Sequence, residues 1–307
     1  TMIAFLFPGQ GSQHTGMGKE LAENFSVARQ TFEEANDAIG FDLASLCYYG
    51  PEDDLRLTAN TQPAILAASV AALRVLEAET GLVPAFAAGH SLGEYSALVC
   101  SGGLKFADAV RTVRQRGIFM QEAVPVGTGS MAAILGLDLE SLDVVCRDAA
   151  RGQVVSPANY NSDGQVVIAG HTEAVSRAID LAKEKGAKRA MPLPVSAPFH
   201  CSLMVPAGER LADVLADIII DEMHLPVITN VEATPNQDVS RVRDLLVRQV
   251  SAPVRWQESI ACMVNLDVER YIEVGPGKVL SGLVKRMAKE STVQNVQNVA
   301  DIKALVK

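Results

Sequence analysis

A serine that acts as a nucleophile needs three things: exposure on a sharp turn, a base within reach, and N–H donors for the oxyanion that forms. Gly89-His90-Ser91-Leu92-Gly93 fits the G-x-S-x-G nucleophile elbow, in which two glycines permit the tight strand-to-helix turn. The apolar run Val83 to Ala88 precedes it and a helical stretch with small residues, Tyr95-Ser96-Ala97-Leu98, follows. The competing reading is an ordinary turn with Ser91 as a helix N-cap, and the flanking elements favour the nucleophile. Among the five histidines, His90 adjoins Ser91, but consecutive side chains diverge on an elbow, so it is better placed to support the turn. His14 lies in the first loop, His171 starts a helix and His224 precedes a strand. His200, in Ser196-Ala197-Pro198-Phe199-His200, is one candidate base by its position where the chain re-enters the main domain, against the commoner reading of a lone histidine as packed or solvated. No Asp or Glu after Ser91 presents itself as the third member of a triad, so a backbone carbonyl is a candidate to orient the base.

A second loop, Pro8-Gly9-Gln10-Gly11-Ser12-Gln13, offers backbone N–H groups after the first strand. It lacks the third glycine of G-x-G-x-x-G, and Gly16 is followed by Met17 rather than Lys, so neither a dinucleotide nor a P-loop phosphate site is supported. Two readings remain, a glycine loop that only caps the following helix or an oxyanion hole with the N–H of Leu92 and that of Gln10 as its two donors, and the elbow favours the second. Arg116, in Arg111-Thr112-Val113-Arg114-Gln115-Arg116, reads from spacing alone as part of a solvated helix face.

The elements that hold these residues follow from patterning. With 307 residues, and roughly 150 per domain, the chain accommodates one large domain or two smaller ones. Its 48% hydrophobic and 21% charged residues exclude a disordered or coiled-coil chain. Strand-like runs alternate with amphipathic segments, which predicts an α/β class with a mainly parallel sheet. Met2 to Phe7 reads as a strand, Gly18 to Ile39 as largely helical, Gln62 to Glu79 as a buried helix, and Pro226 to Thr229 and Val268 to Val274 as strands. Between Gly127 and Val195 the order is strand (Ser130 to Leu135), helix (Leu139 to Ala150), strand (Val154 to Asn159), Asp163-Gly164 turn, strand (Val166 to Ala169), helix (Thr172 to Lys185), strand (Arg189 to Pro194). That is the βαββαβ order of a ferredoxin-like unit. Flanked by Gly127-Thr128-Gly129 and Pro192-Leu193-Pro194, residues 127–195 read as an insertion into a catalytic domain of 1–126 and 196–307.

Charge narrows the partners. The net charge of −9 disfavours broad binding to nucleic acid or an anionic membrane, and any anionic ligand must find a local basic patch. Lys183, Lys185, Lys188 and Arg189, or Lys285, Arg286 and Lys289, are candidates for one. No apolar stretch reaches the roughly 18 to 20 residues of a membrane span, and the N-terminus reads as a core strand rather than a signal peptide. Five widely spaced cysteines without a CxxC pair point to a reducing, cytoplasmic setting without structural zinc or another metal.

Taken together, Phe7-Pro8-Gly9-Gln10-Gly11-Ser12-Gln13, Gly89-His90-Ser91-Leu92-Gly93-Glu94-Tyr95, Arg116-Gly117 with Met120-Gln121-Glu122-Ala123, Ala158-Asn159-Tyr160-Asn161, Pro198-Phe199-His200-Cys201-Ser202-Leu203-Met204, Gln249-Val250 and Val274-Gly275-Pro276-Gly277 resemble the malonyl-CoA:acyl carrier protein transacylases and their polyketide-synthase relatives. The resemblance runs in the family's order over nearly the full length. It implies an α/β-hydrolase-like large domain with an inserted ferredoxin-like small domain. By the same resemblance Ser91 is the acylated nucleophile, His200 its base, and Gln10 and Leu92 the oxyanion hole. Gln249 matches the position whose backbone carbonyl orients the histidine, and Arg116 the residue that pairs with the malonyl carboxylate. Asn161 and His90 match pocket-lining positions, and Phe199 resembles the malonyl-selecting side of the family. The implied reaction is ping-pong malonyl transfer from malonyl-CoA to the phosphopantetheine thiol of acyl carrier protein, without a cofactor. A monomer is expected, with no nucleic-acid or membrane partner. The alternatives are a trans-acting polyketide-synthase acyltransferase, a serine thioesterase or hydrolase using the same elbow, and a non-catalytic carrier-binding scaffold.

Overall fold

The computed structural model describes residues 1–306. Its strands, in chain order, are β1 (Ile3–Phe7), β2 (Phe86–Gly89), β3 (Gly129–Leu135), β4 (Val155–Ser162), β5 (Gln165–His171), β6 (Arg189–Pro192), β7 (Val227–Ile228), β8 (Pro235–Asn236), β9 (Arg270–Val274) and β10 (Thr292–Val296). They form a mixed α/β fold with two sheets, a six-stranded one ordered β10-β9-β1-β2-β7-β8 and a four-stranded one ordered β4-β5-β3-β6.

The larger sheet is parallel except where β8 turns back on β7. Its central strand, Ile3-Ala4-Phe5-Leu6-Phe7, is buried at every position, as a strand covered by helices on both faces must be. On one side lies the helix Thr58–Thr80, buried on most of its surface, and on the other a cluster around Trp256, Ile260 and Tyr271. The long helix begins one turn earlier than Gln62 and contains Pro63. A proline there leaves the carbonyl of Ala59 without its helical donor, and Arg114 supplies one at 2.8 Å. The smaller sheet is antiparallel throughout, with the helices Leu139–Ala150 and Thr172–Glu184 packed against it around Ile134, Val145, Ile168 and Val175.

Several boundaries differ from the sequence reading for identifiable reasons. The helical stretch 18–39 is broken at Phe25, whose extended backbone divides it into Lys19–Asn24 and Ser26–Ile39. The strand before the elbow starts at Phe86 rather than Val83, because Val83 is exposed and Pro84 has no N–H for the ladder. In β4 the pairing continues past Asn159 to Ser162 through two irregularities, which polar Asn-Tyr-Asn does not advertise. The polar strand β10 was not anticipated either; pairing with β9 holds it in place. Tyr160 donates to the Val254 carbonyl (2.9 Å) and Val254 to that of Ala158 (2.8 Å), fastening β4 to the chain of the larger sheet. All five cysteines are free, and no helix among the described residues is long and apolar enough to cross a membrane.

Candidate active site

The elbow lies at the end of β2, where the chain turns into the helix Gly93–Cys100. Ser91 occupies the left-handed region at φ 54°, a conformation that costs a non-glycine residue energy and is held here by its surroundings. Both glycines are required by close approach: a Cβ on Gly89 would meet the Gly93 carbonyl oxygen at 1.8 Å, and one on Gly93 the Phe7 oxygen at 2.1 Å. Ser91 therefore stands at the top of the sheet, beside the loop that follows β1.

The Ser91 hydroxyl donates to His200 Nε2 at 2.6 Å, and His200 Nδ1–H donates to the main-chain oxygen of Gln249 at 2.9 Å. A carbonyl acceptor fixes the proton on Nδ1 and leaves Nε2 free to accept, the arrangement that the absence of an acidic third member had suggested. Burial, reinforced by the positive charge of Arg116, pushes the His200 pKa down to about 3. The imidazole is neutral throughout the physiological range, with Nε2 facing the Ser91 hydroxyl.

Arg116 corrects the reading of its helix as a solvated face. In Phe106–Glu122, Arg111 is exposed and paired with Asp108, whereas Arg116, five residues on and about 140° around the helix, points inward and is 1% exposed. Its Nη1 donates to Gln62 Oε1 (2.8 Å), and its Nη2 to Gln249 Oε1 (2.9 Å) and Ser91 Oγ (3.3 Å). The guanidinium lies 5.6 Å from the Tyr95 ring centroid. Among the described residues no carboxylate bonds to it, and its Nε has no partner.

A cavity of about 240 Å³ opens over these groups. Of the residues singled out from the sequence, Ser91, His200, Gln10, Leu92, Arg116, His90, Asn161 and Phe199 all line it, and Gln249 lies behind them through its bonds to Arg116 and His200. The main-chain N–H groups of Gln10 and Leu92 have no acceptor among the described residues and are available to an oxyanion. His90 Nε2 lies 2.7 Å from Asn161 Oδ1, joining the elbow to β4 of the smaller sheet, which agrees with a supporting position rather than a proton-accepting one. Arg286 reaches the cavity wall through Gln165 (2.9 Å), while Lys183, Lys185, Lys188 and Arg189 are exposed.

The sequence reading missed Gln62, Asn230 and Glu94. Gln62 carried a signal, as a polar residue on a helix buried nearly all round. Asn230 belongs to no motif. Glu94 sits inside the matched elbow stretch yet is only 2% exposed; burial raises its pKa to about 7 against the opposing Asn230 N–H bond and the Arg116 charge.

A strained serine bonded to a neutral, carbonyl-oriented histidine, with two free N–H groups beside it, is a centre equipped for serine acyl transfer. Residues 4–305 match the acyl transferase domain family. The malonyl CoA-acyl carrier protein transacylase of Salmonella typhimurium is 53% identical over 304 residues, covering 99% of this chain and 98% of that protein. Among solved structures, the malonyl CoA-acyl carrier protein transacylase of Coxiella burnetii superposes with a TM-score of 0.98 at 46% identity, over 100% of this chain and 97% of that one. A malonyl-transacylase solved in complex with a type II polyketide-synthase acyl-carrier protein gives a TM-score of 0.97 at 50% identity, over 100% and 99% of the two chains. The chain belongs to the acyl transferase family, among its malonyl CoA-acyl carrier protein transacylases.

Proposed function

We propose that this protein transfers a malonyl group from malonyl-CoA to the phosphopantetheine thiol of acyl carrier protein, supplying extender units for fatty-acid synthesis. Ser91 Oγ attacks the thioester carbonyl while His200 Nε2 takes its proton. The carbonyl oxygen, now an anion, accepts from the N–H groups of Gln10 and Leu92, each donor contributing about 3 kcal/mol to the transition state. Collapse breaks the carbon–sulfur bond, and His200 returns the proton to the departing coenzyme A thiolate. The carrier's thiol then gives its proton to His200, attacks malonyl-Ser91, and leaves as the malonyl thioester with the serine hydroxyl restored.

The observation that carries this reading is Arg116. A guanidinium buried beside the nucleophile, hydrogen-bonded only to amides and a hydroxyl and with no carboxylate bonded to it, leaves room for the free carboxylate of a malonyl group to pair with it bidentately. That carboxylate also offsets the field that depresses His200, so the correct acyl group strengthens its own base. Phe199, 7% exposed at the cavity, restricts the space beside the acyl chain and opposes an α-methyl branch.

The fold reading accompanies this proposal. We read 1–126 and 196–307 as an α/β-hydrolase-like catalytic domain, supported by the parallel sheet that ends in the elbow. Residues 127–195 form a ferredoxin-like insertion, supported by the order β4-β5-β3-β6 and by the insertion's own apolar cluster. The similarity to a transacylase bound to a polyketide carrier favours a second reading of the acceptor, as a polyketide acyl-carrier protein.

Incubation with malonyl-CoA followed by mass analysis tests the reading. The expected result is a persistent malonyl adduct on Ser91 that disappears when a holo carrier protein is added and reappears on the carrier. Rapid release of free malonate, or labelling that survives Ser91→Ala, overturns it. A panel of fatty-acid and polyketide carriers then identifies the acceptor.

A further inference from the structure

We infer that the side-chain amide of Asn230 is an additional rung of the larger sheet, replacing a backbone peptide group to hold Ser91 at its strained turn. This makes Asn230 a positioning residue for the nucleophile. The inference rests on the malonyl-Ser91 reading for its assay.

The register of the sheet states the geometry. β2 and β7 are parallel, with Ala87 opposite Val227 and Ala88 opposite Ile228. Two residues further along each strand, position 90 would face position 230. In a parallel ladder the residue at 230 would donate its N–H to the carbonyl of residue 89 and accept from the N–H of residue 91. The structure contains both bonds, but from the side chain: Asn230 Nδ2 donates to Gly89 O at 2.7 Å, and Asn230 Oδ1 accepts from Ser91 N at 2.8 Å.

The backbone of Asn230 is unable to make this rung because it is used elsewhere. The chain turns at Asn230 itself, with Ala233 N donating to Thr229 O, and β7 is only two residues long. The main-chain N–H of Asn230 donates instead to Glu94 Oε1 (2.7 Å), and its carbonyl accepts from Arg255 N (3.1 Å). Asn230 is thus held at both backbone groups, is fully buried, and turns its side chain to the elbow. On the opposite edge of β2 the backbone of β1 serves the same purpose, since His90 N donates to Phe7 O at 3.0 Å. The elbow is thus gripped from both sides, by a peptide group on one and by an amide side chain on the other. Gln249 Nε2 closes the arrangement, donating to Ser91 O (2.9 Å) and Asn230 Oδ1 (3.3 Å). Ser91 is left with a satisfied backbone and a φ of 54° that aims Oγ at His200.

Two substitutions test this. Asn230→Ala removes the rung, and small displacements of a reacting group carry penalties of up to about 10²-fold. The expected result is a fall of about 10- to 100-fold in the maximal single-turnover rate of Ser91 malonylation, with half-saturation by malonyl-CoA within about two-fold of the parent. Asn230→Asp is isosteric. As a neutral acid it donates to Gly89 O and accepts from Ser91 N, while as a carboxylate it sets an anion against the Gly89 carbonyl. The ratio of parent to Asn230→Asp rates should therefore grow by about ten-fold or more between pH 5.5 and pH 8.5. The titratable and charged groups around it are His90, Glu94, Arg116, His200 and Arg255; because Glu94, with its pKa raised to about 7, bonds the Asn230 N–H directly, the ratio is also measured with Glu94→Gln in both proteins, where the growth with pH must persist.

An Asn230→Ala protein that malonylates within two-fold of the parent overturns the inference, as does a parent-to-Asp ratio that is flat with pH. If Asn230→Ala does not fold, the pH dependence of the Asp variant decides alone. Phosphonylation of Ser91 by a small alkyl fluorophosphonate supplies a readout independent of the acyl group. Slowed phosphonylation of Asn230→Ala supports the inference even in a parent that transfers no malonyl group, an outcome that would overturn only the proposed function.

Discussion

The side-chain oxygen of Gln249 accepts from Arg116 Nη2 at 2.9 Å, while the main-chain oxygen of the same residue accepts from His200 Nδ1 at 2.9 Å. One residue thus steadies the candidate specificity group through its side chain and the candidate base through its backbone. Gln249→Ala separates the two. The carbonyl stays and the base keeps its orientation, while Arg116 loses a charge-assisted bond of about 1.5 to 3 kcal/mol and the elbow loses the Nε2 bond to Ser91 O, a loss common to every acyl group. The expected loss in kcat/KM is about 10-fold or more for malonyl-CoA and smaller for acetyl-CoA, with the acid limb of the pH profile unmoved; an acid limb displaced by a full unit would show that the side chain governs the base.

Arg116→Ala removes the charge itself. Two charge-assisted bonds to a carboxylate place the expected loss in kcat/KM for malonyl-CoA at about 10²-fold or more relative to acetyl-CoA. Comparison of Ser91 acylation rates with both thioesters checks this, and equal losses would remove Arg116 from acyl selection.

With His200 as the candidate base, its depressed pKa predicts the acid side of the pH profile. A histidine of ordinary pKa loses about ten-fold in its basic form for each pH unit below 6.5, whereas one held at about 3 loses nothing until far lower. Rapid-quench acylation rates should stay level from pH 8 to about pH 5. The stability consequence has a definite sign: between about 3 and 6.5 the unfolded chain binds a proton at this position that the folded chain does not, so the His200 contribution to stability falls as the pH drops through that window.

Glu94 contributes with the opposite sign. Its folded pKa is raised to about 7 from 4.5, so its contribution is fully present below about 4.5 and is lost as the pH rises through 7. Glu94→Gln keeps an oxygen for the Asn230 N–H and never ionises. Thermal melts should show this variant gaining stability relative to the parent between pH 5 and pH 8.5, by on the order of 2 to 3 kcal/mol. No change in the difference across that range would mean Glu94 stays charged.

Gly93→Ala tests the packing that builds the elbow. A Cβ 2.1 Å from the Phe7 oxygen forces β1 and the elbow apart, because neither contacting group is a flexible side chain. The expected result is a lower melting temperature together with loss of Ser91 acylation, read by calorimetry and mass analysis; an active, equally stable Gly93→Ala protein would show that the elbow does not need this approach.

The parts legible in the sequence are those set by local chemistry. The elbow motif located Ser91, because the glycine spacing records a turn that few other residues permit. The Pro8 to Gln13 loop followed a strand of continuous apolar residues, and the alternation of strands and helices gave the α/β class and the segment order of 127–195. The resemblance, more than the spacing of charges, assigned Arg116. From the helix Phe106–Glu122 alone, nothing separates an inward arginine from Arg111 on the solvent face, since only packing against Gln62 and Gln249 shows which side is covered. Strand ends were least readable: β10 and the end of β4 are polar, and backbone pairing with a neighbour decides them.

What tertiary structure alone decided is contact between residues far apart in the chain. Asn230 and Glu94 are 136 residues apart and Asn230 and Gly89 are 141 apart, so no local window contains the bonds that grip the elbow. The same holds for the buried charge of Arg116 and the lowered pKa of His200. Desolvation is a property of everything that surrounds a group, and it exists only once the chain has closed around it.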